Sequence, residues 1–152
     1  MSGAGALGVE IAKNLVLSGC KTFTLHDHKA ITMRDLSGQF FLNWEEDKKK
    51  ATRAEACMPR LKQLNYYVKC TVAPPTEIPL DETKLTSPEW NLAIYNVIIL
   101  TEATNEEIVF LNAFCRTHKI KLIVADACGV FLRVFNDFGD DFEILDKNGE
   151  DL

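Results

Sequence analysis

Gly3-Ala4-Gly5-Ala6-Leu7-Gly8 spells G-x-G-x-x-G and runs straight into residues with helical spacing. Glycine at the first two positions permits a tight turn and lets an anion approach the backbone closely. The third lets the helix pack against its strand, and the helix start offers unpaired N–H groups to a phosphate. Asp27 closes the next short β-rich segment, the position from which a carboxylate reaches a ribose hydroxyl. Gly3, Gly5, Gly8 and Asp27 are therefore the candidate nucleotide-binding residues. The plainer alternative is that the glycines serve backbone geometry and bind nothing.

Other reactive side chains form weaker patterns. The five cysteines (Cys20, Cys57, Cys70, Cys115 and Cys128) are odd in number and include no C-x-x-C pair. They are expected to be small buried hydrophobes rather than zinc ligands or activated thiolates. His26 and His28 flank Asp27 but lack further ligands for a metal. Asp137-Phe138-Gly139 has the letters of a kinase metal motif without the glycine loop and lysine that should accompany it. Asp146-Lys147-Asn148-Gly149-Glu150-Asp151 starts like a calcium loop, yet Asp151 stands where its glycine is needed. Asn148-Gly149 is read instead as a hairpin turn. No residue is assigned a catalytic role, and no metal site is expected.

The elements that must position the loop alternate in type. Helices are predicted over Ala6–Leu17, ended by Gly19, over Lys49–Asn65 with Pro59 inside it, and over Glu106–His118. Strands are predicted over Thr22–Asp27, Tyr67–Val72, Asn96–Thr101, Lys121–Asp126, Val130–Phe135 and Phe142–Leu145. The unbroken apolar runs at residues 97–100 and 122–125 are typical of parallel strands buried on both faces. Residues 31–42 read as loop with a helical turn. Residues 73–90, which hold Pro74, Pro75, Pro79 and Pro88, read as loop with one turn near Glu82–Leu85. Glu45-Glu46-Asp47 before Lys48-Lys49-Lys50 reads as a solvated helix start, with acids suited to the helix dipole. The fold class that follows is α/β, a Rossmann-like, mostly parallel sheet with helices on both faces. Its first strand should precede Gly3 but is missing, and the end is β-rich.

With 152 residues, 47% of them apolar and 26% charged, the chain has globular rather than disordered or fibrous composition. A net charge of −5 argues against a general nucleic-acid binder. No apolar stretch is long enough for a membrane helix. The first residues lack a signal peptide's basic region, so a cytoplasmic and nuclear location is expected.

Longer stretches carry a resemblance. Residues Gly5–Gly19, Leu25-His26-Asp27, Asp35–Leu42, Arg53-Ala54-Glu55, Ile123–Asp126 and Asp137–Glu143 resemble the ubiquitin-activating enzymes, specifically their N-terminal, inactive adenylation half. The resemblance covers nearly the whole chain and is weakest over residues 73–90. It implies a MoeB/ThiF-type fold. In full length it implies a ligase that uses ATP and Mg²⁺ to adenylate the ubiquitin C-terminus, forms a thioester and passes ubiquitin to a conjugating enzyme. Residues 1–136 would be the inactive adenylation domain, truncated at its start, and 137–152 the beginning of a small β domain. The chain is thus expected to be a fragment, short of its central strand and less stable than its length suggests.

The resemblance also separates active from inactive halves. Gly38-Gln39-Phe40 stands where the active half has Arg-Gln-Phe, and Thr104-Asn105 where it has Asp-Asn. The charges that would meet phosphate and metal are gone, and Arg53 falls near the position of the active half's phosphate-binding lysine. Gly3, Gly5, Gly8 and Asp27 are then a vestigial site. The fragment is expected to be inactive, to bind no cofactor and to serve as architecture. Its partners would be the active adenylation half of the same chain and, through the full-length enzyme, ubiquitin and conjugating enzymes. Phe40, Phe41 and Trp44 are candidate interface aromatics. The alternatives are an NAD-type oxidoreductase domain, or the inactive subunit of a heterodimer activating SUMO or NEDD8.

Overall fold

The computed structural model of the chain describes residues 1–144. Helix α1 (Ala6–Leu17) leads to β1 (Thr22–Leu25), a short α2 (Trp44–Asp47) and α3 (Arg53–Leu64). Then come β2 (Lys69–Val72), one-turn α4 (Glu82–Leu85), β3 (Val97–Leu100), α5 (Asn105–Thr117), β4 (Lys121–Cys128) and β5 (Phe131–Asp137). β1 and β2 pair in parallel, as do β3 and β4, while β5 returns antiparallel along β4.

Met1 and Ser2 hold the centre of the sheet. The Met1 amine donates to Thr24 O at 2.8 Å, and the His26 N–H donates back to Met1 O at 2.8 Å. On the other side the Ser2 N–H donates to Ile99 O at 2.8 Å, and the Thr101 N–H donates to Ser2 O at 2.9 Å. Ser2 thereby bridges His26 and Leu100 in parallel sense. The spatial order is β2, β1, Met1–Ser2, β3, β4, β5. The strand expected before Gly3 is represented by these two residues.

Each half of the sheet has its own core. Val9, Ala12 and Val16 of α1 pack with Phe23 and Leu25 of β1 and with Ala54, Cys57 and Leu61 of α3. Ile98 and Leu100 of β3 and Leu122 and Val124 of β4 pack with Leu111, Phe114 and Cys115 of α5 and with Leu85. Burying such side chains contributes about 1.5–3 kcal/mol each. α5 starts with a capping box in which Thr104 and Glu107 bond each other's backbone N–H. No helix of the described residues is long and apolar enough to cross a membrane.

The structure corrects several local expectations. α3 begins at Arg53, because Thr52 caps it by accepting from Glu55 N–H. Asp47 is buried rather than solvated: its Oδ2 accepts from Asn43 N–H and forms a 2.6 Å pair with Arg60 Nη1. Of the expected interface aromatics, Phe40 is half exposed, with Lys13 Nζ 5.3 Å from its ring centre. Phe41 packs against the α1–α3 core. Phe142–Ile144 form no strand. Leu145 and the Asn148-Gly149 turn lie outside the described residues.

Candidate functional site

The glycine loop leaves the sheet centre directly. Gly3 N–H donates to His26 O at 2.9 Å, and Gly3 has a φ of 99°. A Cβ at Gly3 would fall 2.5 Å from Thr101 O, so the backbone just past β3 admits no side chain there. At Gly8 a Cβ would fall 2.2 Å from Gly3 O, which fixes the closeness of α1 to the loop. Gly5 is the N-cap of α1 and supplies no side-chain cap, and the first turn holds no acid. The loop thus has the geometry that favours an anion at a helix start.

Asp27 lies just past β1, 4% exposed. Its Oδ2 accepts from Ala4 N–H at 2.7 Å and from Arg53 Nε at 2.9 Å, and lies 2.6 Å from Arg53 Nη2. Its Oδ1 accepts from Lys29 N–H at 2.8 Å. The chain's own donors thus make three contacts to Oδ2 and one to Oδ1. Gly3, Gly5, Gly8 and Asp27 are therefore brought together, but Asp27 faces the protein.

Arg53 is the centre of the charge arrangement. Besides Asp27 it reaches Asp35 Oδ1 with Nη1 at 3.1 Å and Glu102 Oε2 with Nη2 at 2.9 Å. Lys29 Nζ adds a second contact to Glu102 Oε2 at 2.9 Å. Burial opposes the charge on Arg53, yet its bonds to Glu102 and Asp27 outweigh this and raise its pKa. Burial opposes charge on Glu102 too, and the bonds from Arg53 and Lys29 overcome it and lower its pKa. Sequence reading placed Arg53 near a phosphate-binding position; here it is spent on carboxylates of its own chain. Glu102 and Lys29 were missed. The usable signal was that Glu102 follows a buried parallel strand, at the carboxyl edge where such folds bind ligands.

The remaining motif residues have structural work. Gln39 is buried, donates to Ala4 O at 3.2 Å and contacts Cys57 Sγ. Gly38 has no side chain to offer, and Thr104 caps α5. No group of three or more His, Cys, Asp or Glu among the described residues could hold a metal. Around the loop, Asp27 is bonded by donors of its own chain and the Glu102 carboxylate stands against Gly5.

His26 sits beneath the loop, 6% exposed. Its Nε2 donates to Thr76 O at 2.8 Å, which leaves Nδ1 to accept from Ser2 Oγ at 2.8 Å. Burial holds the imidazole below its usual pKa. The unfolded chain therefore binds this proton at higher pH, so stability falls as pH drops below about 6.5. Melting temperature is expected to fall between about pH 7 and 5.5, and to fall less in His26→Gln. Equal pH slopes for the two proteins would contradict this account of His26.

The sequence model of the ThiF family matches residues 1–136. The chain belongs to the ThiF family. Ubiquitin-like modifier-activating enzyme 6 of Mus musculus is 43% identical to this ThiF-family chain over 153 residues, 99% of the chain and 14% of that enzyme. Ubiquitin-like modifier-activating enzyme 1 of Homo sapiens is 43% identical over 150 residues, 99% of the chain and 13% of that enzyme. The chain thus spans a small part of these relatives' length. Among solved structures, Escherichia coli MccB with AMPCPP and MccA superposes with a TM-score of 0.67 at 21% identity, covering 81% of this chain and 35% of that one. PaaA gives a TM-score of 0.69 at 17% identity, covering 84% and 36%. These likenesses bear out the MoeB/ThiF-type fold, and the relatives bear out the resemblance to ubiquitin-activating enzymes.

Proposed function

We propose that this ThiF-family chain is the non-catalytic adenylation half of a ubiquitin-activating enzyme, and that its role is architectural. The observation that carries the reading is Asp27, buried and bonded by the chain's own Ala4, Lys29 and Arg53. Loss of charge at Gly38 and Thr104 supports it. In full length, such an enzyme would use ATP and Mg²⁺ to adenylate ubiquitin and pass it through a thioester to a conjugating enzyme, in the cytoplasm and nucleus. This part would hold the active adenylation half in place. The antiparallel β5 supports a docking role, with Leu132 77% and Val134 66% exposed on one face of an edge strand. Apolar side chains clustered at that density commonly mark interaction surfaces.

Calorimetric titration of the chain with ATP and Mg²⁺ tests the reading. No saturable heat is expected. A micromolar Kd, about −8 kcal/mol, would overturn it. NADH fluorescence enhancement would instead support a dinucleotide-binding oxidoreductase domain.

A further inference from the structure

Glu102 follows β3 with a φ of 60°, a left-handed conformation that non-glycine residues adopt infrequently. Its N–H donates to Asp126 Oδ1 at 3.0 Å. Asp126 is itself held by Arg133, which also reaches Asn105. The side chain turns back over the glycine loop. Oε2 is gripped by Arg53 and Lys29, each at 2.9 Å. Oε1 occupies the space over Gly5, where a Cβ would fall 1.8 Å from it. A carboxylate therefore stands against the N-cap of α1, whose first turn has no acid of its own. Negative charge is favoured at that end of a helix, and the same spot in a loop of this kind receives a phosphate.

We infer that Glu102 is an internal anion that takes the place of a ligand phosphate and keeps the loop closed to nucleotides. The inference rests on the proposed non-catalytic reading and names the residue responsible. Two consequences of the geometry support it. An incoming phosphate would need the volume that Oε1 fills. It would also meet a cluster in which the carboxylates of Asp27, Asp35 and Glu102 outnumber the cations Arg53 and Lys29. Removing Glu102 balances those charges, frees the Lys29 ammonium and one N–H of Arg53 Nη2, which stays paired with Asp27, and clears Gly5. An ammonium and a guanidinium N–H are both strong phosphate donors.

Glu102→Gly is the first variant, because glycine takes a positive φ without strain. Glu102→Asn is the second variant, since asparagine tolerates the same backbone and carries no charge. The experiment titrates ADP, and separately inorganic pyrophosphate, into the chain and into both variants, with thermal melts confirming that each is folded. The unchanged chain is expected to show no saturation. The variants are expected to gain affinity by about tenfold or more, roughly 1.4 kcal/mol. Folded variants as silent as the unchanged chain would overturn the role of Glu102 while leaving the architectural reading intact. Saturable ADP binding by the unchanged chain would overturn both.

Discussion

Arg53→Ala is expected to lower the stability of the chain by about 3–5 kcal/mol, the usual consequence of removing one partner from a buried ion pair. Its side chain is buried and meets the buried Asp27 carboxylate with Nη2 at 2.6 Å. Without it the Asp27 carboxylate keeps two backbone donors and loses its countercharge. Asp35 and Glu102 lose a partner as well, although Glu102 is partly solvated and retains Lys29. For a chain of this size the fall corresponds to roughly 10 °C in melting temperature. Arg53→Lys keeps the charge but not the planar fork, and is expected to recover part of the loss. In Asp27→Asn/Arg53→Met the stranded charge is gone, so the pair should be less destabilised than the sum of the single changes. Urea denaturation of Asp27→Asn, Arg53→Met and the double variant beside the unchanged chain reads this directly. Strict additivity would show that Arg53 and Asp27 are not coupled.

Gly3→Ala is expected to be nearly as damaging, for a steric reason. The backbone there has a φ of 99°, and the added Cβ would meet Thr101 Oγ1 at 2.0 Å and Thr101 O at 2.5 Å. The side-chain oxygen can rotate away, but the carbonyl belongs to the residue following β3 and cannot. An unfavourable backbone region costs about 1–3 kcal/mol, and forced overpacking about as much again. Gly19→Ala is the control. Gly19 also has a positive φ, 79°, but a Cβ there would meet nothing closer than Asn65 Nδ2 at 3.9 Å. It should show the backbone cost alone, about 1–2 kcal/mol. Similar urea midpoints for the two variants would mean that contact with Thr101 does not define the loop.

The parts of the fold that follow local rules were legible in the sequence. α1 has the predicted bounds because Gly5 and Gly19 punctuate an apolar helical stripe. β3 and β4 stand out because burial on both faces removes polar alternation. Asp47 and Glu102 were harder to place. Each looks like an ordinary surface acid among its sequence neighbours. Their partners, Arg60 for one and Arg53 with Lys29 for the other, come from distant segments that only the folded chain assembles. The same holds for His26, whose strand position suggests an exposed polar residue until Thr76 and Ser2 close around it. Asp27 was identified from its place after β1, but its orientation depends on Arg53.

The two residues at the centre of the sheet have a mechanical consequence. The β1–β2 half with α1 and α3 and the β3–β4 half with α5 carry separate cores, and Met1 and Ser2 couple their ladders. Arg53 and Lys29, reaching Glu102, tie the same halves at the carboxyl edge. A seam between two separately packed bodies is where a domain opens below its global unfolding energy. The glycine loop runs along that seam, so its order depends on how firmly the halves are clasped. Glu102 and Arg53 then act as a clasp on the domain as well as a cover on the loop.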